Sequence, residues 1–227
     1  MIELFNSINN AFCGILGINS YLQGVIVMTC INVIAVLGMS VLTGFTRLFS
    51  FGNAGFMSIG AYTAAILTVQ FKFNFLLAIL CGALFAGLIA FLLGSITLRL
   101  KGDYFLITCL GFGECVRVLF NYTKGITGGS AGYPGIPAYS NALFSVICTV
   151  LAFFIAWRFI HSKYGRNLTS IRENEMAAEA VGINAYRTKR MSFTFSAIYA
   201  GWAGALYAGY LMYIVPSSFN LAKSCEL

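Results

Sequence analysis

Charge is what this sequence has least of. Lysine, arginine, aspartate and glutamate make up 9% of its 227 residues, against 59% hydrophobic residues, 15% aromatics and a mean hydropathy of +0.83. A chain of this size folded in water needs far more polar cover, so a soluble globular domain is excluded. Histidine is nearly absent: His161 stands alone, with no partner motif around it. No HExxH and no Ser-His-Asp set occurs, which leaves metal-assisted or nucleophilic catalysis without candidates. The seven cysteines, at 13, 30, 81, 109, 115, 148 and 225, never fall in CxxC spacing. A metal site or disulfide framework is therefore not expected, and they read as small buried hydrophobes. The start of the chain lacks the basic stretch and small-residue cleavage site of a signal peptide. Met1 to Gly17, which carries Glu3, Asn6, Asn9 and Asn10, reads as a short or half-inserted helix.

Long apolar runs fill the space that charge leaves. A bilayer takes about 20 helical residues to cross. Five stretches meet that length, at about Gly24 to Gly44, Ser50 to Gln70, Phe73 to Leu98, Tyr139 to Trp157 and Ser192 to Val215. A sixth, Tyr104 to Tyr122, is interrupted only by Glu114 and Arg117. Strands of a membrane barrel would show alternating segments of about ten residues, which are not seen. The fold class expected is all-α: a polytopic membrane helix bundle with about six transmembrane helices.

The net charge of +7 raises the question of nucleic acid, and its placement answers it. Arg158, Lys163, Arg166, Arg172, Arg187, Lys189 and Arg190 all fall in one inter-helix segment, which the positive-inside rule assigns to the cytoplasm. Counting helices back from there puts Arg47, Arg99 and Lys101 inside as well, and Lys72, Lys124 and Lys223 outside. The surplus is topological, and nucleic acid is not an expected partner.

The outer loop GITGGSAGYPGIP, Gly125 to Pro137, is glycine-rich but lacks the Gly-Lys-Ser/Thr ending of a phosphate-binding loop. It reads as a compact capping or re-entrant loop, open to contact with an external partner. Glu114 and Arg117 lie at i, i+3 on one predicted helix and can neutralise each other. Ionisable groups at membrane depth face a bundle interior or a water-filled path. The pair is either a translocation-path element or a structural pair near the outer end of its helix. Gly52, Asn53, Gly55 and Gly60 open the second span, where glycine weakens the helix and bares carbonyls that would line a cavity. Dense packing explains them equally well. In SAIYAGWAGALYAGY, Ala197, Gly201, Ala205 and Gly209 form one small-residue ridge, and Ala200, Gly204 and Ala208 form a second. A helix with two such ridges touches two neighbours at close backbone range.

One segment is out of character. RENEMAAEAVGI, Arg172 to Ile183, carries four charges, an alanine-rich run and a glycine. Asn174 suits an N-cap, Glu175 favours the first turn, and Gly182 suits the left-handed residue that ends a helix. The helix between them has about seven residues and spans about 10 Å. Nothing so short is stable alone in water, so it needs a docking surface.

Three stretches carry a family resemblance: FSFGNAGFMSIGAYTAAIL (Phe49 to Leu67), LRLKGDYFLITCLGFGECVRVLFNYTKGITGGSAGYPGIP (Leu98 to Pro137) and GRNLTSIRENEMAAEAVGINAYRTKRMSF (Gly165 to Phe193). Together they resemble the permease subunits of branched-chain amino acid ABC transporters, in order, from about Ser20 to Asn220. The resemblance implies a single transmembrane permease domain over 1–227 in a bacterial plasma membrane, importing leucine, isoleucine or valine. It also implies the partners: a second, homologous permease subunit, two cytoplasmic ATPase subunits and an extracytoplasmic amino acid-binding protein. ATP and magnesium would bind those ATPases, leaving this chain without a cofactor and without enzymatic activity of its own. On this reading the loop at about 158–191 carries the family's coupling helix, with Arg172, Glu175, Ala177, Ala178 and Gly182 in it and Ala178 on the docked face. Ala177, Ala178 and Gly182 match the Ala-Ala and Gly of the coupling motif. Met176 stands where its leading glutamate is usual. In the family the chain continues past the equivalent of PSSFNLAKSCEL through about two more helices, so the family's last part is expected to be missing here. A permease for another small solute, such as urea or a sugar, shares the architecture. A channel or an intramembrane enzyme is the remote alternative.

Overall fold

A computed structural model describes residues 19–46, 48–98, 103–137 and 140–226. The helix expected in Met1 to Gly17 lies outside the described residues, as do Arg47, Arg99 and Lys101 of the charge argument. Six longer helices make the body: α1 (Ser20–Thr46), α2 (Asn53–Val69), α3 (Phe75–Thr97) and α4 (Asp103–Tyr122), followed after a short α5 (Lys124–Thr127) by α6 (Ala142–Ile160). At one end the chain then forms α7 (Lys163–Glu173) and the brief α8 (Glu175–Ala180) before returning through the sixth, α9 (Ala185–Leu211), and ending in α10 (Leu221–Glu226). Two-residue strands β1 (Tyr133–Pro134) and β2 (Tyr213–Ile214) pair antiparallel at the other end. The protein is an all-α membrane bundle.

Among the described residues, four helices, α1, α3, α4 and α6, are long and apolar enough to cross a membrane. The sequence led us to expect about six. The remaining two are the most enclosed: α2 is shorter, with 17 residues, and α9 is made largely of Ala, Gly, Ser and Tyr. A helix ringed by other helices meets no lipid, so it has no need of the large apolar side chains that face a bilayer. α9 packs on α1, α2 and α3 together, whereas α3 turns Leu76, Leu80, Leu84, Leu88 and Leu92 outward.

Helix directions follow from the contacts. Gly24 of α1 lies under Tyr210 and Gly38 under Tyr199, while Gly87 of α3 meets Ile198 and Gly94 meets Phe193, so α1 and α3 run antiparallel to α9. Tyr199 donates to the Ala152 carbonyl of α6 at 2.8 Å. The β1–β2 pair therefore places the loop 125–137 at the Leu211 end of α9, and α7 and α8 sit at its Ala185 end. The glycine-rich loop and the basic segment are at opposite ends of the bundle, as the charge parity requires.

The six described cysteines are unpaired thiols. Cys109 and Cys148 are buried, as expected, but Cys81, Cys115 and Cys225 are exposed. For Cys81 and Cys115, which sit on spans, the reason is the solvent: a bilayer accepts a weakly polar thiol on a helix's outer face as readily as a core does.

Candidate functional site

The polar end is assembled from local signals. Ser162 caps α7, its Oγ accepting from the Tyr164 N–H at 3.2 Å, and α7 buries Gly165, Leu168 and Ile171 on one stripe. Asn174 both ends α7 and caps α8, with Oδ1 accepting from the Ala177 N–H at 3.1 Å. The far end of α8 closes by two hydrogen bonds, Ile183 N–H to the Ala178 carbonyl at 3.0 Å and Gly182 N–H to the Glu179 carbonyl at 2.9 Å. That pattern needs a left-handed residue, and Gly182 supplies it with φ +89°. The cap, the first-turn glutamate and the terminating glycine stand where the sequence places them.

Ala178 does not stand where we expected it. It is 4% exposed and packs against Ile171 of α7 and Ala185 of α9, with Ile183 alongside. A six-residue helix cannot hold itself, so one face must seal onto the protein, and Ala178 is the residue small enough to let it. The outward face is formed by Ala177 and Ala180, flanked by Met176 at 81% exposed and Val181 at 82%.

Two struts fix this unit to the bundle. Arg172 donates from Nη1 to the Gly44 carbonyl at 3.2 Å, in the open last turn of α1, and its guanidinium lies 5.9 Å from the Phe45 ring. Lys189 on α9 pairs with Glu175 at 2.6 Å. α9 is in turn tied to α3: Tyr186 donates to the Ser95 carbonyl at 2.7 Å, and Arg190 reaches the Ser95 hydroxyl at 3.1 Å while lying over Phe91. None of these pairings had a sequence signal, because each joins residues 14 to 128 positions apart.

In the membrane body the small residues meet backbone to backbone. A Cβ on Gly60 would strike the Gly201 backbone, and one on Gly204 would strike the Met57 carbonyl. Gly201 also lies against Ala83 and Ala86 of α3, and Gly209 against Phe75 and Ser140. Ala197 and Ala205 are buried on the same ridge. The ridge Ala197, Gly201, Ala205, Gly209 thus faces mainly α3, and the Gly204 ridge faces α2.

The candidate path residues divide between two seams. Gly52 sits 2.6 Å (as a would-be Cβ) from the Cys109 carbonyl and Gly55 2.9 Å from the Gly113 Cα, so both belong to the α2–α4 seam, while Gly60 belongs to α2–α9. Asn53 is buried beside Gly52. At Gly52, Gly55 and Gly60 the space a side chain would take is filled by neighbouring backbone. Gly55 and Glu114 border one small cavity of about 10 Å³, closed by Phe219 and Ser224, with room for a single water. Ser224 accepts from the Ala54 N–H at 3.0 Å there, a contact that nothing in the sequence signalled. Arg117 donates to Glu114 at 2.8 Å, confirming the intrahelical pair, and both side chains are about a third exposed on α4.

The family described as "Branched-chain amino acid transport system / permease component" matches residues 21–225. The chain belongs to that family. It is 34% identical over 231 aligned positions to the high-affinity branched-chain amino acid transport system permease protein LivM of Escherichia coli, an alignment covering 87% of this chain and 54% of that protein. It is 29% identical to the probable branched-chain amino acid transport permease protein LivM of Methanocaldococcus jannaschii over 60% of this chain and 43% of the relative. The nucleoside ABC transporter permease protein NupC of Lactococcus lactis is 25% identical over 69% of this chain and 57% of its own length. The chain spans about half the length of the curated relatives it matches. No solved structure matches it. The family is one of transport permeases, and with four apolar helices of spanning length the chain is a multi-pass membrane protein.

Proposed function

We propose that this chain is the transmembrane permease subunit of an ATP-driven importer of branched-chain amino acids, and that α8 is where cytoplasmic ATPase subunits engage it. The observation that carries the reading is α8 itself: capped at both ends, sealed on Ala178, and showing Met176 and Val181 to solvent. An apolar knob on a rigid base is what a groove in a partner protein takes up. Force on that knob reaches α1 through Arg172 and reaches α9 and α3 through Lys189, Tyr186 and Arg190. This chain supplies the seams that move. ATP and magnesium belong to the partner ATPases, a second homologous permease completes the passage, and an extracytoplasmic binding protein delivers the solute.

The basic segment with α8 faces the cytoplasm on this reading, and the loop 125–137 faces outward. In a background with native cysteines replaced, Ser130→Cys reacts with an impermeant thiol reagent on intact cells, while Glu179→Cys reacts only after the membrane is opened. For docking, Met176→Cys forms a cross-linked product with a co-expressed ATPase subunit carrying thiols along its groove. Absence of that product, with the subunits otherwise co-purifying, refutes α8 as the contact.

A nucleoside is the second substrate reading, supported by the Lactococcus relative. It rests on lower identity than the 34% shared with the Escherichia coli amino acid permease. The ligand carried by the binding protein that assembles with this chain separates them: leucine, isoleucine or valine supports the first, and a nucleoside the second.

A further inference from the structure

At the basic end, where α6 finishes and α7 turns away, the surface carries an open groove of about 330 Å³. Its walls are Phe154, Ile155 and Phe159 from the last turns of α6, Tyr164 from the start of α7, and Phe195 from α9. The rings form a floor: Phe159 stacks on Phe195 at 4.2 Å and lies parallel to Tyr164 at 6.4 Å. Local chemistry fixes that shape. Ser162 donates to the Phe159 carbonyl at 2.6 Å and accepts from Tyr164 N–H, while Gly165 lies so close to the Ile160 backbone that no side chain fits between them. The chain is folded back sharply, and the Tyr164 ring is laid beside Phe159.

The lining of the groove is almost wholly apolar, and charge stands at its border. Arg158 lines it, and Lys163 and Arg166 follow within two turns; all three are exposed, and none makes an ion pair among the described residues. α6 is one of the helices long and apolar enough to span, which puts Arg158, two residues before its last, at headgroup depth with the apolar floor beside it. A soluble anion would gain nothing from the rings, and a bare hydrocarbon would gain nothing from the arginines. We propose that this groove binds an anionic phospholipid of the leaflet at the basic end, its phosphate at Arg158 and an acyl chain along Phe154, Ile155, Phe159 and Phe195. Basic pockets between membrane helices on the cytoplasmic side take such headgroups by the same chemistry. The inference holds whichever solute the permease carries.

The chain has two tryptophans, and Trp157 adjoins Arg158 on α6. With Trp202→Phe, fluorescence reports Trp157 alone, in phosphatidylcholine bilayers titrated with dibrominated phosphatidylglycerol or, separately, dibrominated phosphatidylcholine. Phosphatidylglycerol is expected to quench with a relative binding constant about threefold or more above phosphatidylcholine, falling as salt is raised. Arg158→Gln brings the ratio near one, Arg158→Lys restores most of it, and Lys124→Gln at the opposite end leaves it unchanged. Equal quenching by both lipids in the chain with Arg158 intact overturns the proposal. So does selectivity that disappears when the partner subunits are assembled, since a protein would then fill the groove.

Discussion

α9 is held at its middle and at its Ala185 end by opposite means. At its middle, Gly201 and Gly204 lie against bare backbone of α2 and α3, with no ion pair and no bulky side chain at the contact. At its start, Tyr186, Lys189 and Arg190 reach out with hydrogen bonds, a salt bridge and an aromatic contact. The difference follows the solvent. In lipid no hydrophobic force draws helices together, so they gain by close approach and dispersion over small residues. At the water boundary such contacts gain little, and directional polar bonds to carbonyls and carboxylates set the geometry instead. A helix with one half of each kind joins a membrane seam to a segment in water.

The comparison is broken most severely by filling the seam. Gly204→Val drives a branched side chain into the Met57 carbonyl, a clash costing about 1–3 kcal/mol or more. Amount in the membrane and melting temperature in detergent both fall, whereas Gly111→Ala, with open space around it, leaves both unchanged. Ala178→Asp comes next. It puts a charge under α8, and its cost is limited to that of releasing α8 from Ile171 and Ala185. Proteolysis within 172–184 speeds up while the membrane body melts as before. If an ATPase subunit docks on α8 as proposed, Val181→Asp leaves α8 seated and acts only on that contact, by about 2 kcal/mol, or a roughly 30-fold loss of ATPase affinity measured by co-purification at graded concentrations. If Val181→Asp loosens α8 as much as Ala178→Asp does, the inner and outer faces have been assigned wrongly. The smallest effect is Lys189→Met, which removes a partly exposed ion pair worth less than about 1 kcal/mol, and only at low salt is the change measurable.

Much of the polar end was legible beforehand because its signals are local. Asn174 and Gly182 each act within four residues, so the chain reads out its own cap and stop. The direction in which Ala178 points is not local. It depends on α7 lying beneath α8, and helix periodicity over six residues cannot distinguish an inner from an outer alanine. The ridges of α9 were readable as ridges, since spacing alone sets which small residues align. Whether Gly52, Gly55 and Gly60 bordered space or backbone was not readable: it turns on where α4 and α9 lie, and a sequence pattern carries no such placement. The enclosed character of α2 and α9 was visible only as modest hydropathy, which resembles a weak span until the neighbours are known.

At the closest points of the α2–α9 crossing main chain meets main chain, while beside them the Phe56 ring of α2 packs edge-on against Phe193 of α9 at 5.5 Å. Interdigitated helices slide only when rotamers change together, which makes their motion stepwise. At Gly60–Gly201 and Met57–Gly204 one main chain rests directly on another, so α2 can tilt over α9 without any rotamer having to hop at the point of contact. Such a crossing transmits load from backbone to backbone, and what resists rotation about it is the ring contact of Phe56 on Phe193. On the docking proposed above, a pull that begins at Arg172 or Lys189 would turn the helices about this point, and its rate would be set by how readily the Phe56 and Phe193 rings beside the pivot repack.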